Sequence, residues 1–316
     1  MKILFTCVGR RVELMQAFRR AADELKFPLE IYGTDMDMTA PALLFCDRKC
    51  QVPPIRSEEY IPYLLDFCEK EGIDGLIPTI DTDLMLLAIN KNRFTAVGTK
   101  VFISAVDKVS LCRDKRYTAD YFLSLGLESP RPCDRYKEYN GGFPAFIKPR
   151  DGSSSIFAYR VDTPEDLREY ARRVPDYVIQ PFIKGTEYTV DIFCDYEGNP
   201  VYITPRIRLA VRSGEVLKTR IVHDPDIERE MKILIDDFKP CGAITVQMIR
   251  EEKSGKNVYI EINPRYGGGA PLSILAGADS AKALLRILNR EELSYQPDAA
   301  EEDAVYSRFD QSVRVN

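Results

Sequence analysis

Histidine is nearly absent from this 316-residue chain, which carries His223 and no other. Two kinds of chemistry lose their footing at once. A zinc centre would need cysteine pairs, and the eight cysteines (Cys7, Cys46, Cys50, Cys68, Cys112, Cys133, Cys194, Cys241) include no C-x-x-C. A cysteine or serine nucleophile would need His223 as its base, yet His223 lies in IVHDPDIEREM, where it opens a helix as a capping or surface residue. Scattered thiols fit buried, reduced cysteines in a cytosol. An excess of basic charge is also missing: 44 Lys+Arg against 49 Asp+Glu give a net charge of −5, which argues against nucleic-acid or membrane-surface partners. No apolar run approaches membrane-spanning length, and MKILFTCVGRR suits a first strand better than a secretion signal, so a cytoplasmic protein is expected. Internal repeats, low-complexity segments and a G-x-G-x-x-G fingerprint are lacking, the last leaving a dinucleotide pocket weakly supported.

What is present is a composition for two or three domains with proper cores, 45% hydrophobic and 29% charged. Residues 2–8 form a strand pattern, 11–25 a helix pattern and 29–33 a second strand ending at Asp35. This is the opening of a parallel α/β sheet. A helix over 58–71, a strand over 75–78, a helix in IDTDLMLLAINKNRF and a strand in VGTKVFIS continue it to about Ser104. Ligands of open α/β sheets collect at the carboxyl ends of strands, which makes Arg10, Arg11, Asp35 and Asp81 candidates for one cleft edge.

Beyond it, 106–126 is expected to be one helix containing Lys115. In FPAFIKPRDGSSSIFAYRV, Lys148 ends an apolar strand beside Gly152, Ser153, Ser154 and Ser155; a lysine placed there calls for an anionic partner, and such a loop suits phosphate. After a helix over 164–173, the connector Gln180, Pro181, Phe182 and Ile183 has extended main chain able to read an adenine edge, and Glu187 could accept from ribose hydroxyls. Arg206, Arg208 and Arg212 alternate along a strand and would make one cationic wall.

The stretch GAITVQMIREEKSGKNVYIEINPRYGGG reads as an antiparallel hairpin of 243–250 and 258–263. Centred with Arg250 opposite Val258, it sets Gln247 opposite Glu261 and Thr245 opposite Asn263, so Gln247, Glu261 and Asn263 share a face. Three oxygen donors with a single charge suit Mg²⁺, which keeps waters and borrows phosphate oxygens; Arg265 follows as a fixed cation for the same phosphates. The segment APLSILAGADSAKALLRILNREEL is expected to be a closing helix, and the polar tail from Ser294 carries no motif.

With the strings TCVGRRVELMQAF, LIPTIDTDL, SLCRDKRYTADYFLSLGL, FIKPRDGSSS, QPFIKGTEYTVDI, PRIRLAVRSGE and VYIEINPRYGGGAPLS in that order, the sequence resembles the ATP-grasp superfamily over nearly its full length. The resemblance is closest to stand-alone proteins like the carbamoyl phosphate synthetase large subunit. It implies a Rossmann-like α/β pre-ATP-grasp domain (1–104) and an α+β ATP-grasp domain (105–293) of two lobes (nucleotide lobe about 115–186, metal and catalytic lobe about 187–293), with 294–316 as a tail. It also implies that Lys115 and Lys148 contact ATP, with Ser153 to Ser155 in the phosphate loop. Gln180 to Ile183 match the adenine hinge, Glu187 the ribose acid, and Gln247, Glu261 and Asn263 the ligands of Mg²⁺, with Mn²⁺ as an alternative. Arg206, Arg208 and Arg265 would stabilise an acylphosphate. The implied chemistry is ATP-dependent activation of a small carboxylate for attack by an amine, in a chain that can pair as a homodimer. The alternatives are an ATP-binding regulatory protein without turnover, carbamoyl-phosphate-synthetase-like phosphorylation of a small carboxy substrate, and a nicotinamide oxidoreductase built on the first domain.

Overall fold

The fold is described from a computed structural model covering residues 1–152 and 156–315; Ser153, Ser154 and Ser155 lie outside the described residues. The first unit alternates strand and helix: β1 Lys2–Thr6, α1 Val12–Leu25, β2 Glu30–Asp35, β3 Arg48–Gln51, α2 Tyr60–Glu71, β4 Gly75–Pro78, α3 Leu84–Ala96 and β5 Lys100–Val101. The strands pair in parallel in the order β3-β2-β1-β4-β5, as apolar strands covered on both faces by crossover helices should. One face buries Leu4, Leu64, Leu76 and Phe94. The other is built with a second unit: Phe5 and Phe18 share a core with Phe193, Tyr202, Tyr266 and Leu284. The strand ends that carry Arg11 and Asp81 are thereby held against the second unit.

Two short helices follow, α4 Val106–Arg113 and α5 Lys115–Ser124, where a single helix was expected. The break is chemical: Asp114 is extended, and its carboxylate accepts from the Arg116 amide at 2.9 Å, capping α5. Lys115 therefore stands at the first turn of a helix.

A small antiparallel sheet, β7-β6-β8, comes next, from β6 Ala145–Pro149, β7 Tyr159–Val161, α6 Pro164–Arg173 and β8 Tyr177–Pro181. Thr163 caps α6, accepting from the Asp166 amide. The small core here is Ala145, Ile147, Val161, Leu167, Val174 and Ile179.

The remaining elements are β9 Gly185–Cys194, β10 Pro200–Arg212, β11 Glu215–Ile221, α7 Pro225–Phe238, β12 Gly242–Glu251, β13 Asn257–Asn263, α8 Ala270–Leu275, α9 Ser280–Leu288 and β14 Val305–Ser307. They form a sheet in the order β13-β12-β9-β10-β11-β14, with α5 and α7 packed on Val190, Ile244, Val246 and Tyr259. The segment from Ala270 is two helices rather than one, since Gly277 takes φ +119° and a Cβ there would sit 2.5 Å from the Ala299 carbonyl oxygen. His223 precedes α7, whose cap is Asp224, and meets the Ala300 carbonyl at 2.7 Å. In the motif-free tail, β14 pairs with β11, setting Thr219 opposite Tyr306.

The β12–β13 register carries a correction. Thr245 faces Asn263 and Gln247 faces Glu261 as expected, but a bulge after Gln247 pairs Met248 with Tyr259 and Arg250 with Asn257, not Val258. One extra residue on β13 is absorbed between the metal-facing end and the turn. Among the described residues, no helix is long and apolar enough to cross a membrane.

Candidate functional site

Three connected chambers run along the face where the sheets meet. The largest, about 400 Å³, lies between the small sheet and the large one. Its lining includes Phe146, Lys148, Gln180, Pro181, Phe182 and Ile183 from the small sheet and its connector, and Glu187, Arg208, Gln247, Met248, Ile260 and Glu261 from the large sheet. Alternation along β6 turns Phe146 and Lys148 to this cavity while Ile147 faces the small core. Lys148 is 7% exposed, and burial pushes its ammonium down to about 8, with Glu261 opposing the shift and Lys115 adding to it. Lys115 is lowered too, mainly by burial; its Nζ donates to the Gly152 carbonyl at 2.9 Å.

The connector is partly spent on structure. Gln180 donates through Nε2 to the Pro130 carbonyl at 2.7 Å, and the Phe182 amide donates to Pro144 at 3.0 Å. Glu187, half exposed, lies 3.6 Å from Arg208 Nε.

The second chamber, about 110 Å³, shares Arg208, Gly214, Gln247 and Glu261 with the first and adds Arg11, Arg206, Glu215, Asn263, Arg265 and residues 267–269. Gln247, Glu261 and Asn263 thus converge across from Lys148. Asn263 Nδ2 donates to Glu261 Oε1 at 2.9 Å, while Gln247 Oε1 accepts from Arg208 at 2.9 Å. Among the described residues no cluster of three His, Cys, Asp or Glu forms a complete metal cage. One carboxylate with neutral amides instead suits a hard cation that takes its remaining oxygens from water and phosphate. Gln247, committed to Arg208, stands behind the other two as a ligand.

The arginines are held by different devices. Arg206 is 1% exposed, and its Nε donates to Asp191 at 2.7 Å. Asp191 also accepts from Ser273 (2.6 Å) and Thr245 (3.3 Å). Arg265 donates to Asp81 at 2.7 Å, joining the end of β4 to the large sheet. Arg11 donates to the Thr79 carbonyl at 3.0 Å, and burial, then neighbouring Arg265, push its guanidinium down to about 10. The Nε–H groups of Arg208 and Arg265 are buried without a hydrogen-bond partner, so an anion in the chamber would satisfy donors that the fold leaves open.

Arg212 is not in this wall. Bulges between Arg208 and Val211 turn the strand, and Arg212 pairs with Asp310 at 2.9 Å on the surface. Asp35 is also spent elsewhere, accepting from the Gly9 amide at 2.8 Å to build the first turn. Sequence reasoning passed over Glu215, Asp191, Arg308 and Glu13. Glu215 and Arg308 line a third chamber of about 220 Å³ with Arg10, Arg11, Glu13, Gly267 and Gly268. Asp191 sits in an alternating strand where an inward acid was visible as a break in the apolar pattern; for Arg308 the sequence offers no signal.

A family model described as "PylC-like, N-terminal domain" matches residues 3–102, and one described as "ATP-grasp in the biosynthetic pathway with Ter operon" matches residues 173–311. The D-alanine–D-alanine ligase B of Clostridium perfringens is 29% identical over 143 residues, which is 38% of this chain and 47% of that protein, so the match spans about half of that relative. The D-alanine–D-alanine ligase of Aquifex aeolicus is 23% identical over 273 residues, 81% of this chain and 85% of that protein. In fold, the biotin carboxylase domain of Hydrogenobacter thermophilus 2-oxoglutarate carboxylase, solved as a dimer with MgADP, ADP and bicarbonate, superposes with a TM-score of 0.73 at 18% identity, over 96% of this chain and 73% of that one. The parallel sheet, the clamp of two antiparallel sheets, the superposition and the two matching family models lead to one assignment: the chain has the two-domain ATP-grasp fold.

Proposed function

We propose that this protein is an ATP-dependent, Mg²⁺-dependent ligase that activates a small carboxylate as an acylphosphate and joins it to an amine. The observation that carries the reading is the buried ammonium of Lys148 facing Glu261 across the large chamber, beside the Arg208 Nε–H, which has no hydrogen-bond partner. A lysine in that position is costly unless it meets an anion, and a triphosphate supplies one. ATP would lie with its adenine against Phe146, Phe182 and Ile183, its ribose toward Glu187 and its phosphates between Lys115 and Lys148. Mg²⁺ would be held by Glu261 and Asn263, with Gln247 as a third oxygen, and would neutralise phosphate charge during transfer. Arg206, Arg208 and Arg265 would hold the transferred phosphoryl group, and Arg11 the acid that receives it. Cytoplasmic residence and a homodimer belong to the same reading, the latter supported by the dimeric biotin carboxylase domain.

The test is an ADP-release screen of carboxylic acids and amines with mass spectrometry of products. Mg²⁺-dependent ADP release that requires both an acid and an amine, with an amide as product, is the expected result. Tight ATP binding with no turnover across the panel would favour a regulatory ATP-binding protein.

The depressed Lys148 ammonium gives a pH signature. The phosphates of ADP bind the charged lysine, so affinity should be flat below pH 8 and weaken by about tenfold per pH unit above it, until the lysine of the complex itself titrates. Binding at pH 8.5 should therefore take up protons, read by calorimetry in buffers of different ionisation enthalpy. Lys148→Arg should flatten the profile, because arginine stays charged. An unchanged slope in that variant would assign the pH dependence to another group.

A further inference from the structure

The second and third chambers share the lining residues Arg11, Glu215, Gly267 and Gly268, which stand as a gate between them. The gate depends on glycine: a Cβ on Gly268 would lie 3.3 Å from Arg11 Nη1 and 3.7 Å from the Glu215 carboxyl carbon. The second chamber is where the ligase reading puts the acylphosphate, so the third, on the far side of the gate, is where the amine would wait.

An amine arrives at neutral pH as an ammonium ion and is not a nucleophile until it loses a proton. The carboxylates around the two chambers differ in what they already do. Glu261 is bonded to Asn263, Asp191 to Arg206, Asp81 to Arg265, and Glu13 to Arg308 at 3.0 Å. Glu215 has a looser contact, 3.5 Å to Arg308 Nη1. Among the described residues it is the one carboxylate that lines both chambers. Its side chain is 59% exposed, so a proton taken up there has a way out to water.

We propose, resting on the ligase reading, that Glu215 is the catalytic residue that binds the ammonium and takes its proton, and that Arg308 is a positioning residue that holds Glu215 at the gate. Arg308 follows β14 and is anchored independently of Glu215: its amide donates to the Leu217 carbonyl at 2.7 Å and its Nη1 to Val216 at 3.3 Å. Its Nε bond to Glu13 ties the same side chain to α1. In the step itself, Glu215 accepts one proton from R–NH₃⁺, and the freed nitrogen lone pair attacks the acyl carbon. The C–N bond forms, the C–O bond to phosphate breaks, and phosphate leaves carrying the second nitrogen proton. Glu215 then releases its proton to solvent, closing the balance.

Hydroxylamine separates this role from a structural one, because it is uncharged at neutral pH and needs no base to attack an acylphosphate. The proteinogenic L-amino acids and their D-enantiomers serve as acids, with either hydroxylamine or the same amino acids as nucleophile. For Glu215→Gln, the ratio of amide to hydroxamate should fall by roughly 10²-fold or more relative to wild type. Its amide rate should then climb about tenfold per pH unit as the free amine appears in solution. Arg308→Ala should lower the ratio in the same sense by a smaller factor, with partial rescue in Arg308→Lys. Equal loss of both products in Glu215→Gln, or no loss, overturns the role given to Glu215. A wild-type protein that makes neither product from any acid overturns the ligase reading itself, and the inference with it.

Discussion

Replacing Glu261 by Ala abolishes carboxylate-dependent ADP release, with kcat lower by on the order of 10³-fold and the fold retained. The size follows from what the carboxylate does twice over. It is the charged member of a set whose other oxygens, from Gln247 and Asn263, belong to neutral amides. It also supports the ammonium of Lys148 against burial. Without it the lysine loses an opposing charge and titrates lower still, so a smaller fraction is charged at neutral pH. Nucleotide affinity measured without Mg²⁺ should then fall as well, by a smaller factor. Glu261→Gln keeps the shape and removes the charge, and should behave like the alanine variant in turnover. Steady-state ADP release beside circular dichroism decides the matter; turnover within tenfold of wild type would remove Glu261 from the metal position.

Arg206→Met carries the largest expected effect on stability, a loss of about 3–5 kcal/mol. Arg206 is fully buried against Asp191, and its removal strands a carboxylate that retains Ser273 and Thr245 as neutral donors only. Urea unfolding should show a lower midpoint with an unchanged slope. Asp191→Leu should cost a similar amount for the mirror-image reason. The double variant Arg206→Met with Asp191→Leu should cost much less than the two together, since no lone charge remains buried. Additive losses would mean that the two groups act separately. The double variant should fold yet remain inactive, which separates the stabilising part of the pair from its part in holding phosphate.

The placement of these groups was legible from sequence to an uneven degree, and the reasons are physical. Alternation along 243–250 and 258–263 sufficed to face Gln247 with Glu261 because one side of the hairpin is covered by α5 and α7, which penalises any slip. The parallel sheet was visible for the same reason: its strands are short apolar runs between helical periodicities. The interruptions were not. Asp114 breaks a helix by offering its side chain to one amide, an event of a single residue in a stretch otherwise periodic. The bulges near Arg208 that send Arg212 to the surface leave no mark on the alternation of arginines. Glu215, Arg308 and Glu13 lie far apart in the chain and meet only because β14 joins the sheet edge beside β11 and α1 packs across from it. No local pattern encodes such a meeting.

The bulge between Gln247 and Ile260 has a bearing on how this hairpin tolerates change. In a regular ladder, lengthening or shortening the tip by one residue rotates every side chain beyond it to the opposite face. Here the odd residue is taken up between the tip and the functional end, so the tip runs one residue out of the expected register while Thr245 with Asn263 and Gln247 with Glu261 keep their partners. The acid that faces the lysine is thus oriented by the ladder on its own side of the bulge and not by the register of the tip.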